Sequence, residues 1–225
     1  NAGIVRSFDT AGNKNITDLI IDTQCILLQA ISVVDNQLTS FVTHKEWVNI
    51  STIDFDGNGI ISFQTHSEWV LLSQFIMYFN PLVTIVTYKE WTALILLGFS
   101  NCSLTSFQTH KEWVNLDSIF MTDNSLVSFI THIEWINLYA MNLSNNLLTT
   151  FVVFSEWAIF ENMSLKNNAI SVVNDINNIL IELDATGVAV VGVFIMDGGT
   201  NAIPSGAGVV AKNNLIGRFN AVTTN

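Results

Sequence analysis

Positive charge is scarce in this chain. Its 225 residues carry 8 Lys and Arg against 19 Asp and Glu, a net charge of −11. A nucleic-acid interface displaces condensed counterions with a basic stripe, and no such stripe exists, so no nucleic-acid partner is expected. The same deficit argues against an anionic membrane surface. Charge of either sign is thin, at 12% of residues beside 49% hydrophobic. So little charge leaves apolar surface uncovered, and some of it is expected to meet a partner. Long apolar runs are lacking too. The stretch from Val70 to Tyr88 has no formal charge, but Gln74, Asn80 and Pro81 interrupt it, so no membrane insertion is expected. No charged leader opens the chain at Asn1, which implies a signal peptide absent or already removed. The two cysteines, Cys25 and Cys102, lie 77 residues apart. In a stack of coils spaced about 4.8 Å apart that is too far for a disulfide.

Catalytic constellations are missing as well. Ser, His and Asp are plentiful but nowhere set together, and an enzyme would need a grafted domain. The glycines from Gly198 to Gly208 do not follow the strand, Gly-x-Gly-x-x-Gly and helix order of a phosphate loop. Asp54-Phe55-Asp56-Gly57-Asn58-Gly59 opens like a calcium loop, but its twelfth position is Thr65 rather than Glu. His44, His66, His110 and His132 each precede a Glu by two residues, without the Pro-Cys-x-x-Cys of a zinc deaminase. Tyr88 and Phe154 share that column, so the position calls for an aromatic ring rather than a metal ligand. No metal and no cofactor are expected.

What the sequence does have is a period. Its six tryptophans, Trp47, Trp69, Trp91, Trp113, Trp135 and Trp157, are spaced 22 residues apart without drift. A fixed period of this length marks a solenoid, whose coils bury their apolar sides only against one another. Sixteen residues before each Trp stand Ile31, Ile53, Phe75, Leu97, Ile119 and Met141, and fourteen before stand Val33, Phe55, Met77, Phe99, Met121 and Leu143. A spacing of two is a strand with one face inward. Eleven before stand Asn36, Asn58, Asn80, Cys102, Asn124 and Asn146, each followed two residues later by Leu or Ile. Met163, Leu165, Asn168 and Ile170 continue the four columns into a seventh coil, with Ile179 in the Trp place. A buried Asn both donates and accepts, and so can satisfy backbone groups where the chain leaves the strand. The second half of each coil shows Thr43, Thr65, Thr87, Thr109 and Thr131, each three residues before a Glu. That spacing predicts a capping box and a short helix on the convex side. Val153 replaces the Thr in the sixth copy.

Leu116 to Leu126 fits the pattern Leu-x-x-Leu-x-Leu-x-x-Asn/Cys-x-Leu. Over residues 28–180 the chain thus resembles leucine-rich-repeat proteins. The resemblance implies an α/β fold: a right-handed solenoid with a parallel concave sheet, short convex helices and irregular caps at both ends. One continuous domain is expected, with an N-terminal cap over 1–30, the solenoid over 31–173 and a C-terminal cap over 174–225. Ile4 to Phe8 reads as a strand and Asn15 to Leu28 as a helix. In the tail, Asn174 to Leu183 and Val209 to Ile216 read as helices, and Gly187 to Met196 and Asn220 to Thr223 as strands. The run Asp197-Gly198-Gly199-Thr200-Asn201 through Pro204 to Gly206 resembles C-terminal caps of Bacteroidetes-group bacterial and phage repeat proteins, although Gly217-Arg218 stands where those have Gly-Trp.

Variation concentrates on the outward strand positions. One column reads Ser32, Asp54, Ile76, Gly98, Phe120, Asn142, Ser164; the next reads Val34, Asp56, Tyr78, Ser100, Thr122, Ser144, Lys166. Apolar residues gather in the middle coils, flanked by Leu96 and Phe79, with carboxylates one coil toward the N-terminus. The candidate binding residues are therefore Asp54, Asp56, Ile76, Tyr78, Phe79, Leu96, Gly98 and Phe120. Gly98, between Ile76 and Phe120, is expected to leave a notch about one strand wide. The expected function is a non-enzymatic binding module for a carbohydrate or protein receptor, extracellular or on a virion surface. The alternative is a structural subunit of a particle, fibre or extracellular assembly, packed through its apolar faces.

Overall fold

A computed structural model describes residues 6–10, 13–187, 192–218 and 220–225. The strands are β1 (Ser7–Asp9), β2 (Ala30–Ser32), β3 (Thr52–Asp54), β4 (Gln74–Ile76), β5 (Leu96–Gly98), β6 (Ser118–Phe120), β7 (Ala140–Asn142) and β8 (Asn162–Ser164). They are followed by α1 (Val173–Ala185), β9 (Val193–Met196), α2 (Gly206–Gly217) and β10 (Ala221–Thr224). The ten strands form one parallel sheet in sequence order. Ile31 pairs with Ile53, Phe75, Leu97, Ile119, Met141 and Met163 in successive strands, a constant 22-residue register. Parallel strands of three residues cannot stand alone; the core beneath holds them, running as one apolar cluster from Ile21 to Val222.

The six tryptophans fill that core, each with no exposure. Trp91, Trp113, Trp135 and Trp157 are stacked, neighbouring rings 6.5 Å apart. Each indole Nε1–H donates to a carbonyl of the preceding coil, as Trp113 does to Tyr88 O at 3.0 Å. The asparagine ladder is the polar counterpart. Asn80 donates to Phe55 O (2.8 Å), Met77 O (3.1 Å) and Tyr78 O (3.0 Å), and its Oδ1 accepts from Ile60 N at 3.0 Å. Each rung thus ties its own turn to the coil before it. A final rung lies outside the period: Asn201 donates to Leu165 O at 2.9 Å and accepts from Ile170 N at 3.0 Å.

Cys102 replaces one rung. Its thiol donates to Met77 O at 3.2 Å, and Leu82 N turns instead to Asn80 O at 2.8 Å. Both cysteines are free. Burial pushes the Cys102 thiol up to about 11. Because the thiolate is the nucleophile, Cys102 in the native protein is expected to react with a disulfide reagent only on unfolding, and Cys102→Asn to leave the denaturation midpoint unchanged or raised. Rapid labelling of native protein at Cys102 would show that the assigned register is wrong.

The convex side departs from the sequence reading. No helix forms in the 22-residue coils. Each coil instead makes two successive tight turns, as in Trp47 N to His44 O (3.3 Å) and Ile50 N to Trp47 O (3.0 Å). The reason is coil length: a 22-residue coil leaves too few residues beyond its strand and turn for a helix, whereas α1 and α2 stand in the longer coils that join Asn162 to Val193 and Val193 to Ala221, although those strands pair in the same way. The expected helix over Asn15 to Leu28 is likewise a turn pair, with Cys25 in the Trp place (Cys25 N to Asp22 O, 3.1 Å; Leu28 N to Cys25 O, 2.9 Å). In the tail, α1, α2, β9 and β10 stand close to where they were expected. Residues 4 and 5 of the first expected strand, and 188–191 of the tail strand, lie outside the described residues.

Nor does the threonine column cap anything. Each hydroxyl donates to a carbonyl of the next coil, Thr43 to Gln64 O and Thr109 to Ile130 O, both at 2.7 Å. That proton being committed, the ring Nε2–H of His66 must donate to Thr43 (3.0 Å), His110 to Thr87 (3.1 Å) and His132 to Thr109 (3.0 Å). Removing the hydroxyl by Thr109→Val is expected to cost about 1–2 kcal/mol in urea unfolding, since the Ile130 carbonyl and the His132 ring both lose their partner. A double-mutant cycle should couple Thr109→Val to His132→Phe and not to Glu112→Gln; coupling to Glu112 would restore the capping box.

Candidate functional site

The strand register fixes the outward column. Ser32, Asp54, Ile76, Gly98, Phe120, Asn142, Ser164 and Ile195 stand in consecutive strands on one face. Ile76 and Phe120 therefore flank Gly98 as expected, and both are half-buried. Leu96, half-buried two residues before Gly98, faces the same way.

The notch at Gly98 is not open. Tyr78 lies across it: a Cβ on Gly98 would sit 2.6 Å from Tyr78 Cζ and 2.7 Å from its hydroxyl oxygen. A tyrosine is long enough to span one interstrand gap, and an aromatic ring on an open face gains by covering bare backbone. Gly98 is buried as a result. A side chain at Gly98 would therefore displace the Tyr78 ring rather than fill an empty notch. Burial pushes the Tyr78 hydroxyl up to about 12, with Asp56 and Asp54 adding to the shift.

The carboxylates collect at the N-terminal side of this ring. Asp54 Oδ1 accepts from Asp56 N at 3.1 Å. Burial raises the Asp54 carboxyl above the ordinary range, more than the Asp56 amide lowers it, and Asp9 adds a little. Burial also raises Asp56, with the charges of Asp54 and Asp35 adding. Within the calcium-loop look-alike, Phe55 is fully buried in the core and Asn58 is a ladder rung, its Nδ2 on Val33 O at 2.6 Å. Neither is available to a cation. The histidine rings lie edge-on to their own tryptophans, His110 to Trp113 at 5.1 Å, and burial lowers the His66 and His132 pKa values.

Phe79 is the residue whose significance the sequence reading understated. In every coil the residue just past the outward strand positions has positive φ: Asp35 (53°), Gly57 (66°), Phe79 (52°), Asn101 (54°), Asp123 (56°), Asn145 (56°) and Asn167 (54°). Asp, Asn and Gly are the types that adopt this left-handed conformation readily. Phe79 is the exception, and the residue is 59% exposed. The column Asp, Gly, Phe, Asn, Asp, Asn, Asn was legible as a turn position, and a bulky aromatic in it was the available signal.

A second feature lies on the other side of Phe120. A hollow of about 200 Å³ is floored by Ala140, Asn142, Asn162 and Ser164, with Phe120 as one wall and Val193 and Ile195 as the other. Small side chains of β7 and β8 lie between bulky ones of β6 and β9. Asn142 Oδ1 accepts from Ser144 N (3.1 Å) and the Ser144 hydroxyl (2.7 Å), which fixes the amide against the floor.

No protein-family model and no curated protein matches the sequence. Among solved structures the chain is similar to an internalin, InlF, of Listeria monocytogenes, at 14% identity and a TM-score of 0.58 over 98% of this chain and 66% of that one. The fold is a leucine-rich-repeat solenoid. Other leucine-rich-repeat structures are similar to it. A leucine-rich-repeat protein of Leptospira interrogans has 22% identity and a TM-score of 0.51, over 65% of this chain and 39% of that one. The protein of the TLR13–ssRNA13 complex has 16% identity and a TM-score of 0.58, over 86% of this chain and 28% of that one. The chain spans 28% to 66% of the length of these three.

Proposed function

We propose that this leucine-rich-repeat solenoid is a non-enzymatic recognition module that binds a protein partner on the outward face of its sheet, at a cell or virion surface. The observation that carries the reading is Phe79, an aromatic residue held in the left-handed region and exposed to solvent. That conformation costs an L-residue roughly 1–2 kcal/mol, and strain of this kind collects at binding sites. Ile76, Leu96 and Phe120 on the same and following strands, with Tyr78 beside it in sequence, add apolar area to this face, and aromatics of this sort supply the anchors of protein interfaces. Asp54 and Asp56 at the edge suit a hydrogen-bond donor or cation of the partner, and 8 Lys and Arg against 19 Asp and Glu do not suit a nucleic acid. The hollow beyond Phe120 has room for one apolar side chain of the same partner.

Phe79→Asn supplies the test, because its two effects have opposite signs. Asn is what Asn101 is in the neighbouring coil, so the variant is expected to be more stable by about 1 kcal/mol. It is also expected to bind at least about tenfold more weakly to any surface protein that the wild type captures. Phe120→Ala should weaken binding as well, and Ser32→Leu, in the same column but away from the cluster, should not. Unchanged capture by both Phe79→Asn and Phe120→Ala would remove the sheet face as the site. A glycan array with the same variants tests a carbohydrate receptor.

A second reading, a subunit packed in a larger assembly, is favoured by the exposed column Val42, Val86, Ile130 and Val152, in which Gln64 and Gln108 take the two coils between. Light scattering after size exclusion separates the two: a monomer at high concentration opposes assembly.

A further inference from the structure

We propose that the cleft between the last regular coil and α1 binds a small organic cation, an ammonium or guanidinium head on an apolar stem. This site is separate from the sheet face and does not depend on it.

The cleft exists because the repeat ends in a different element. Turn pairs nest at the strand spacing, whereas α1, a 13-residue helix about 10 Å across with its side chains, does not. The junction is visible residue by residue. Thr131 is the last of the threonine column to donate to a following coil, to Val152 O at 2.8 Å, and Val153 stands where the next hydroxyl would be. Trp157 is the last indole donor, to His132 O at 3.1 Å. Ile179 takes the next Trp place and has no N–H to offer, so the Phe154 carbonyl receives the amide of Trp157 (3.1 Å) without the indole bond of the other coils. Between coil and helix is left a cavity of about 590 Å³, within the usual range for small-molecule sites.

Its lining decides the ligand. Glu156 comes from the coil; Asp175 and Glu182 come from one stripe of α1; the apolar part includes Ile133, Phe154 and the buried Ile179. No Lys, Arg or His lines it. Among the described residues, the ion pairs are Lys14 with Asp35 and Arg218 with Asp184, so none of the three carboxylates is neutralised in one. A neutral apolar ligand would take water from these carboxylates and give nothing back; an anion would be repelled. A cation offsets their charge, its head also favours the face of the Phe154 ring, and its stem covers Ile133 and Ile179.

Agmatine carries both head groups on a short stem and is the probe. Titrated into ¹⁵N-labelled protein at about 0.15 M salt, where exposed charges are screened beyond about 8 Å, it should give saturable amide shifts confined to 150–156 and 173–183. Nα-acetyl-arginine amide, presenting the same head as a protein side chain would, tells the sources apart: binding of both includes a partner's arginine, and binding of agmatine alone restricts the site to free amines. Asp175→Asn and Glu182→Gln, on partly exposed positions of the helix, should each weaken agmatine at least about tenfold, about 1.4 kcal/mol. Glu112→Gln, which removes the same charge from a coil outside the cleft, should change nothing, and 1-hexanol should not bind. The proposal fails if hexanol shifts the same amides as strongly, if Glu112→Gln weakens binding as much as the cleft variants, or if agmatine produces no localised shifts. None of these outcomes touches the sheet-face reading, whose variants lie on other elements.

Discussion

Trp113→Ala is expected to lower the unfolding free energy by about 3–5 kcal/mol, read as a fall in the urea midpoint. The indole is fully buried and stacked between Trp91 and Trp135, each 6.5 Å away. Truncation opens a cavity walled by two other indoles, which the coil spacing prevents from closing, and takes the donor at 3.0 Å from the Tyr88 carbonyl. Coils of a solenoid are coupled to their neighbours, so the loss should move one cooperative transition rather than split off a partial one. Trp113→Phe keeps most of the volume and should cost clearly less. A midpoint unchanged by Trp113→Ala would mean that the tryptophan column is not core.

Asn146→Ala is the polar counterpart, with an expected cost of about 2–4 kcal/mol by the same measurement. Asn146 is buried; its Oδ1 accepts from Leu126 N at 3.0 Å, and its Nδ2 donates to Met121 O (2.8 Å) and Leu143 O (3.0 Å). The two carbonyls keep a second partner, since Asn124 also reaches Met121 O (3.3 Å) and Asn168 also reaches Leu143 O (3.0 Å). The Leu126 amide has none, so most of the cost is one buried N–H left without an acceptor. Asn146→Asp separates the two functions of the rung: it keeps the acceptor for Leu126 N and loses the donor, while burying a charge. If Asn146→Ala costs less than about 1 kcal/mol, the ladder is not holding the coils together.

The candidate site on the sheet face was legible in part. The sequence brought Asp54, Asp56, Ile76, Tyr78, Gly98 and Phe120 together, because a 22-residue period places equivalent positions side by side whatever the rest of the coil does. It did not show Tyr78 folded over Gly98. That contact depends on a side-chain rotamer reaching into the next strand, and a column of residue types carries no rotamer. Nor did it show the hollow beside Phe120. Its far wall, Val193 and Ile195, belongs to a strand that pairs with β8 only after the period has broken and α1 has intervened. Asn201 was missed as a ladder rung for the same reason, standing 33 residues after Asn168 rather than 22. Phe79 was named only as flanking the apolar column; its left-handed backbone was implicit in the Asp, Asn and Gly of its own column.

The sequence alone determined the repeat length, the strand register, which residues face the core, and the chemistry of the tryptophan and asparagine columns. These follow from the period, since every coil must bury the same face against the same face of its neighbour. Only the tertiary structure decided what the second half of each coil becomes. Thr-x-x-Glu is a sound helix start in isolation, but a 22-residue coil leaves too few residues for a helix before the next strand must pair. The chain turns twice instead, and the threonine hydroxyl reaches the next coil. Where the coil is longer, from Asn162 to Val193, a helix does form although β8 and β9 still pair, and its misfit against the last coil opens the cleft.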